Sequence, residues 1–303
     1  MTPTTVPAIE AVGLLKTFGR TRALDGLDLT VEQGEVHGFL GPNGAGKSTT
    51  IRALLGQLRL TGGAARVFGL DCWREAAAAH RRVAYVPGDV ALWPGLTGGE
   101  CIDILARAQG RPNEKRRTEL IARFQLDPTK RTRTYSKGNR QKVALCAALS
   151  TDADLLLLDE PTSGLDPLME AVFQQCIREA TEEGRTVLLS SHILAEVEAL
   201  CDRVSIVRNG QVITRGSLEE LRAHTLTQVT AVTDNPIPGL DNVAGVTALV
   251  TEDAREVVRT SFKTVAEALG ESLALVAACH PTSLTVEPPS LDELFLAWHG
   301  AVS

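Results

Sequence analysis

The chain has 303 residues, 44% hydrophobic and 22% charged, an ordinary globular composition with enough apolar material for a sizeable core. A net charge of −6 argues against nucleic acid as the main partner, because that role calls for a strongly basic face. The six cysteines form no CxxC pair and none is grouped with histidines, so they read as small buried or half-buried thiols in a reducing compartment, not as a zinc site.

In chain order, MTPTTVPAIE lacks the charged start and apolar centre of a signal peptide. No later apolar run approaches the roughly 20 residues that span a bilayer, so a soluble chain is expected, with any membrane role left to another polypeptide. Glu35–Leu40 predicts a strand, followed by a Gly-rich turn and a helix to about Leu58. Val83–Val86 predicts a strand, and Gly98–Gly110 and Glu114–Leu126 predict helices, the second capped by Asn113. Gly138–Leu149 has apolar residues at helical spacing, and Leu155–Leu158 is a continuous apolar strand of the kind covered on both faces. Pro167–Glu183 predicts a helix, Thr186–Ser190 a strand, Ile193–Cys201 a helix and Val204–Val207 a strand. Asn209-Gly210 predicts a hairpin turn into Gln211–Thr214. Strands alternating with helices imply an α/β domain with a mainly parallel central sheet. Composition shifts after about Leu226. Strands are expected near Val246–Val250, Val257–Thr260, Leu273–Ala278 and Ser283–Val286, and helices near Phe262–Leu269 and Leu291–Trp298. They make a small α+β domain.

Gly41, Pro42, Asn43, Gly44, Ala45, Gly46, Lys47 and Ser48 fit GxxxxGK[ST] between a predicted strand and a predicted helix, with Thr49 next along that helix. Glycines let backbone N–H groups turn inward around phosphate oxygens, and the helix N-terminus adds partial positive charge. Lys47 brings an ammonium to the outer phosphates, and the Ser48 hydroxyl suits Mg2+. Asp159, at the carboxyl end of the Leu155–Leu158 strand, can also hold Mg2+. Glu160 is then placed to polarise a water attacking a γ-phosphate. His192 follows another strand, where ligands gather in open α/β sheets, though a lone histidine there is also commonly structural. YSKGNRQ at 135–141 offers a second anion-binding helix start through Ser136, Gly138 and Asn139. The same stretch reads equally well as a helix capped by Ser136.

These motifs, in this order and spacing, resemble the ATP-binding subunit of an ABC transporter over residues 8 to 225. YSKGNRQ stands in place of that family's LSGGQ-type stretch, and LLLLDEPTSGLD and His192 complete the set. The YSKGNRQ wording and Pro288–Leu296 (PPSLDELFL) are similar to bacterial exporter ATPases associated with drugs and antibiotics. The resemblance implies a P-loop NTPase ABC cassette over 1–225, with a helical subdomain at about 90–150, and a small accessory domain over 226–303. It implies ATP and Mg2+ as cofactors and a second copy as partner. In that head-to-tail dimer, ATP on one copy's loop meets Ser136 and Gly138 of the other, and Ser163–Asp166 lines the seam. It further implies a separate transmembrane permease, a place at the cytoplasmic face of the cell membrane, and export of a drug-like, antibiotic or lipid-like compound. A cytosolic ABC ATPase without transport is the alternative. Phe18 falls where the family keeps an aromatic to stack on adenine, ordinary core being the other reading. The family's glutamine after Val83–Val86 is replaced here by Gly88. Asp89 either substitutes as an oxygen ligand for Mg2+ or is a surface-turn aspartate. Lys137 stands where the family more usually has glycine.

Overall fold

The computed structural model of the chain describes residues 6–223, 226–254 and 257–287. The chain divides into two compact units, Met1–Gly216 and Ser217–Ser303, a division that falls ahead of the compositional shift at Leu226.

The first unit opens with a hairpin the sequence pattern does not predict, β1 (Ile9–Phe18) and β2 (Thr21–Val31). Its register shifts at several points, which breaks the two-residue alternation by which a half-buried strand is recognised. β3 (Val36–Leu40) is buried along its whole length, as a strand covered on both faces has to be. A Gly-rich turn leads into α1 (Lys47–Leu54), which ends short of the expected Leu58. β4 (Gly62–Val67) pairs back onto β1, and β5 (Leu70–Asp71) completes an antiparallel sheet ordered β2-β1-β4-β5. After α2 (Ala76–His80) and β6 (Val83–Val86) come α3 (Gly98–Gln109), α4 (Glu114–Arg123) and α5 (Lys137–Leu149). Thr97 and Glu100 form a reciprocal capping box on α3, and Asn113 caps α4 as predicted. Both helices pack on α5, most of which is buried.

β7 (Leu155–Asp159), α6 (Pro167–Glu182), β8 (Thr186–Ser191), α7 (Leu194–Leu200), β9 (Arg203–Arg208) and β10 (Gln211–Ser217) follow. They build a six-stranded sheet ordered β10-β9-β3-β8-β7-β6. Its inner pairs are parallel, and β10 returns through Asn209-Gly210, both at positive φ as a tight hairpin turn requires. One core cluster joins Ile9, Leu14, Leu27 and Val31 of the antiparallel sheet to Ile51 and Leu54 of α1 and to Phe39, Leu155, Leu157 and Leu188 of the central sheet. Helix α1 is therefore held between two sheets. That fixes the loop at its N-terminus against rigid elements.

The second unit carries α8 (Leu218–Ala223), β11 (Thr227–Thr233), β12 (Val246–Ala254), β13 (Val257–Thr264), α9 (Ala266–Ala278) and β14 (Ser283–Glu287). The antiparallel sheet runs β12-β13-β11-β14, and α9 packs over β11 and β13 around Val229, Ala231, Phe262 and Val276. Two expectations are corrected here. Phe262, placed at a helix start, lies within β13, and Leu273–Ala278, placed in a strand, is the second half of α9. The apolar run LALVAA fits either period over so short a window, and its alanines favour the helix. The expected helix at Leu291–Trp298 lies outside the described residues. The α/β cassette with a mainly parallel sheet, and the small α+β unit after it, are otherwise as expected.

Candidate functional site

Register brings three strand ends to one level. Leu40 of β3 lies beside Ser191 of β8, and Ser190 lies beside Asp159 of β7. The loop after β3, the acids after β7 and the histidine after β8 therefore open on one edge, the ligand crevice of a parallel sheet.

Gly46 caps α1 at φ 113 with no side-chain hydrogen bond, leaving the first amides of the helix to the loop and to an anion. The close packing behind the loop explains two of its glycines. A Cβ on Gly41 would stand 2.4 Å from the Val207 carbonyl oxygen, and one on Gly46 would stand 2.9 Å from that of Ala23. The outward side is open, since a Cβ on Gly44 would meet nothing within 4 Å, and Asn43 and Gly44 are exposed. The β9–β10 turn braces the loop, as Gly210 N–H donates to the Ala45 carbonyl at 2.9 Å while its own carbonyl accepts from Asp25 N–H at 2.9 Å. Ser48 and Thr49 lie in the first turn of α1, both partly buried. Lys47 is buried, and its Nζ donates to the carbonyls of Gly41 at 2.7 Å and Pro42 at 3.3 Å. Burial holds this ammonium below its ordinary pKa, opposed by the charges of Glu160 and Asp159.

Asp159 is buried at the end of β7 and accepts from Ser190 Oγ at 2.7 Å. Glu160 adopts φ 47, a conformation that costs a residue with a side chain about 1–2 kcal/mol and marks a position held by its surroundings. Its N–H donates to the Ser190 carbonyl at 3.0 Å. Its Oε1 lies 4.0 Å from Lys47 Nζ and 3.2 Å from His192 Nδ1. Lys47, Asp159, Glu160 and His192 are thus brought together from three separate stretches, those at or after the ends of β3, β7 and β8. Gly88 also comes close, because a Cβ there would stand 3.2 Å from the Asp159 carbonyl oxygen and 3.7 Å from Glu160 Cβ. Asp89 beside it is exposed.

The remaining candidates lie elsewhere. Phe18, at the end of β1, is 50% exposed with Lys16 Nζ 4.9 Å from its ring centre, so it is not a core residue. Ser136 caps α5 by accepting from Asn139 N–H at 3.3 Å. A Cβ on Gly138 would stand 2.3 Å from the Gly164 carbonyl oxygen, and Lys137 Nζ donates to Ser163 Oγ at 2.6 Å. The loop after Glu160 is therefore pressed against the start of α5. Asp166 caps α6 by accepting from Met169 N–H at 3.0 Å. No hydrogen bond among the described residues joins Ser136, Lys137 or Gly138 to Gly41–Ser48.

The sequence pattern did not point to Ser190, Thr162 or Glu196. Ser190 is signalled only by the hydroxyl pair in SSH, and the other two only by proximity in the fold.

A family model described as ABC transporter matches residues 24–163. The daunorubicin/doxorubicin resistance ATP-binding protein DrrA of Streptomyces peucetius is 43% identical over 222 residues, which cover 71% of this chain and 67% of that protein. The linearmycin resistance ATP-binding protein LnrL of Bacillus subtilis is 32% identical over 304 residues, 95% of this chain and 97% of that protein. A solved structure of an ATP-binding subunit of an ABC transporter superposes with a TM-score of 0.67 at 32% identity, covering 71% of this chain and 92% of its own.

Proposed function

The chain belongs to the ABC transporter family as an ATP-binding subunit, and we propose that it hydrolyses ATP to drive export of a drug-like, antibiotic or lipid-like compound through a separate transmembrane permease. The observation that carries the reading is the approach of Glu160 Oε1 to both Lys47 Nζ and His192 Nδ1, at 4.0 and 3.2 Å, beside the glycine-braced loop. The loop amides and Lys47 hold the β- and γ-phosphates, with Phe18 available to adenine. Glu160 takes the proton of the attacking water. His192, its Nδ1 turned to Glu160, presents Nε2 to the γ-phosphate. The buried Asp159 carboxylate and the Ser48 hydroxyl in the first turn of α1 are oxygen donors of the kind that suits Mg2+, so Ser48 and Asp159 would hold that ion, with Asp89 a further candidate oxygen. Magnesium, when bound, supplies charge neutralisation on the phosphates.

The start of α5 serves a second copy. Ser136 and Gly138 of one protomer face the nucleotide on the other's loop, with Asp166 in the same seam. Support comes from the exposed Ser136 and Lys137 at a helix start backed by the Ser163–Gly164 turn. Among the described residues no helix is long and apolar enough to cross a membrane, and this reading gives the pore to the permease, with the chain at the membrane's cytoplasmic face. The cargo class follows the resistance proteins DrrA and LnrL.

Glu160→Gln tests the reading. It should lower turnover by about 10²-fold or more while keeping ATP affinity, and light scattering should then show an ATP-dependent doubling of mass. A variant that remains monomeric in saturating ATP would count against the shared site, and one that still turns over would count against Glu160 as the base.

A further inference from the structure

The geometry points to Glu196 as a positioning residue that sets the spacing of Glu160 and His192. This inference rests on the reading of those two side chains as the pair acting at the γ-phosphate. Glu196 lies in the first turn of α7, only 7% exposed, and touches neither of them by hydrogen bond. Its carboxylate fastens the two turns that carry them. Oε1 accepts from Thr162 Oγ1, two residues beyond Glu160. Oε2 accepts from Ser191 Oγ at 2.7 Å, one residue before His192. Both hydroxyls are buried.

Each hydroxyl has a single hydrogen, so committing it to Glu196 fixes what its lone pairs can do. Ser191 Oγ is thereby left to accept from Ile193 N–H at 2.9 Å, which shapes the turn through His192. Thr162 is held within the turn that Ser163 N–H closes on the Glu160 carbonyl at 3.1 Å and Leu165 N–H closes on the Thr162 carbonyl at 2.9 Å. That turn starts at Glu160 in its left-handed conformation, which needs support from its surroundings. The acting side chains are open, His192 at 49% and Glu160 at 28%, whereas the group behind them is enclosed. A cleft of about 220 Å³ runs between them, lined by Glu160, Ser163, His192 and Glu196. One buried carboxylate therefore ties the strand ends of β7 and β8 at the level where the 3.2 Å contact between Glu160 and His192 is made.

The test uses the full chain. Glu196→Ala should lower kcat at least about tenfold with KM for ATP within about twofold, since displaced groups cost rate and not nucleotide binding. Glu196→Gln should recover most of that loss. Its amide oxygen accepts from one hydroxyl, and its NH2 donates to the other. Ser191→Ala and Thr162→Val each cut one arm, and either gives the answer if Glu196→Ala fails to fold. NMR of the His192 imidazole should show its resonances displaced in Glu196→Ala or the arm variants and returned in Glu196→Gln. A purely structural role would lower the melting temperature without moving those signals or splitting kcat from KM. Folded Glu196→Ala with wild-type kcat, or with unmoved His192 resonances, overturns the inference. Wild-type protein without ATP turnover refutes the proposed function alone, and the imidazole signals still decide the positioning role.

Discussion

Two helix starts in this chain have the small-residue composition that suits an anion, and they are finished differently. At α1, Gly46 provides no cap, the amides stay open, and glycines are required by close packing against Val207 and Ala23. At α5, Ser136 satisfies the Asn139 amide, and Gly138 is required by the Gly164 carbonyl of the same chain. The first start is built for a ligand. At the second, Ser136 Oγ already accepts from Asn139 N–H, and a hydroxyl that accepts in this way can still donate its hydrogen to a phosphate oxygen. On the proposed reading, the first start acts from a single chain and the second waits on a partner.

The comparison can be broken most sharply at Lys47. On the proposed reading, in which the Lys47 ammonium serves the phosphates, Lys47→Ala should reduce turnover by about 10²-fold or more; activity near wild type would remove α1's claim. Next is Gly138→Ala, whose Cβ would meet the Gly164 oxygen at 2.3 Å. It should lower stability by about 1–3 kcal/mol, read as a fall in melting temperature, together with turnover. Ser136→Ala sharpens the contrast. Losing the cap should cost about 1 kcal/mol in denaturant unfolding. If the second start also serves a partner, ATP-driven pairing of the Glu160→Gln background should weaken as well, and unchanged pairing would leave Ser136 a cap alone. The smallest effect concerns Glu179 on α6, which accepts at 2.7 Å from Arg116 and from Arg123 of α4 and so ties α4 to α6. Hydrogen bonding from Arg123 lowers its carboxyl from 4.5 to about 2. The stability it adds is therefore complete above its ordinary value and disappears as pH falls through about 2. Its partial exposure keeps the contribution below about 1 kcal/mol, and Glu179→Gln should flatten that acid limb in thermal melts.

How much could be seen in the amino acids alone differed between the two units. The phosphate loop was legible because its spacing is dictated by backbone geometry around a phosphate, and LLLLDE because a strand buried on both faces has no polar alternation to confuse it. The cap at Asn113 was legible for the same local reason. The N-terminal antiparallel sheet was not, since the shifts in register along β1 spoil its alternation. In the second unit the strand–helix boundary near Thr264 went unseen because Phe262 is a core residue of β13 and Val276 a core residue of α9, and both simply read as apolar. The site was half visible. Lys47, Asp159, Glu160 and His192 carry recognisable motifs. Glu196 carries none, because its partners Thr162 and Ser191 reach it only when β7 and β8 lie side by side.

The turn at Gly210 deserves a last consequence. It sits far along the chain from the phosphate loop, yet its N–H grips Ala45, and a Cβ there would meet Ala23 O and Leu24 Cα at 2.8 Å. In a saturation screen for loss of function, position 210 should cluster with the nucleotide loop although it belongs to the turn between β9 and β10. Whoever maps such a screen by distance along the chain alone will find one outlier, and its explanation is mechanical, a wedge that keeps the cradle from sagging.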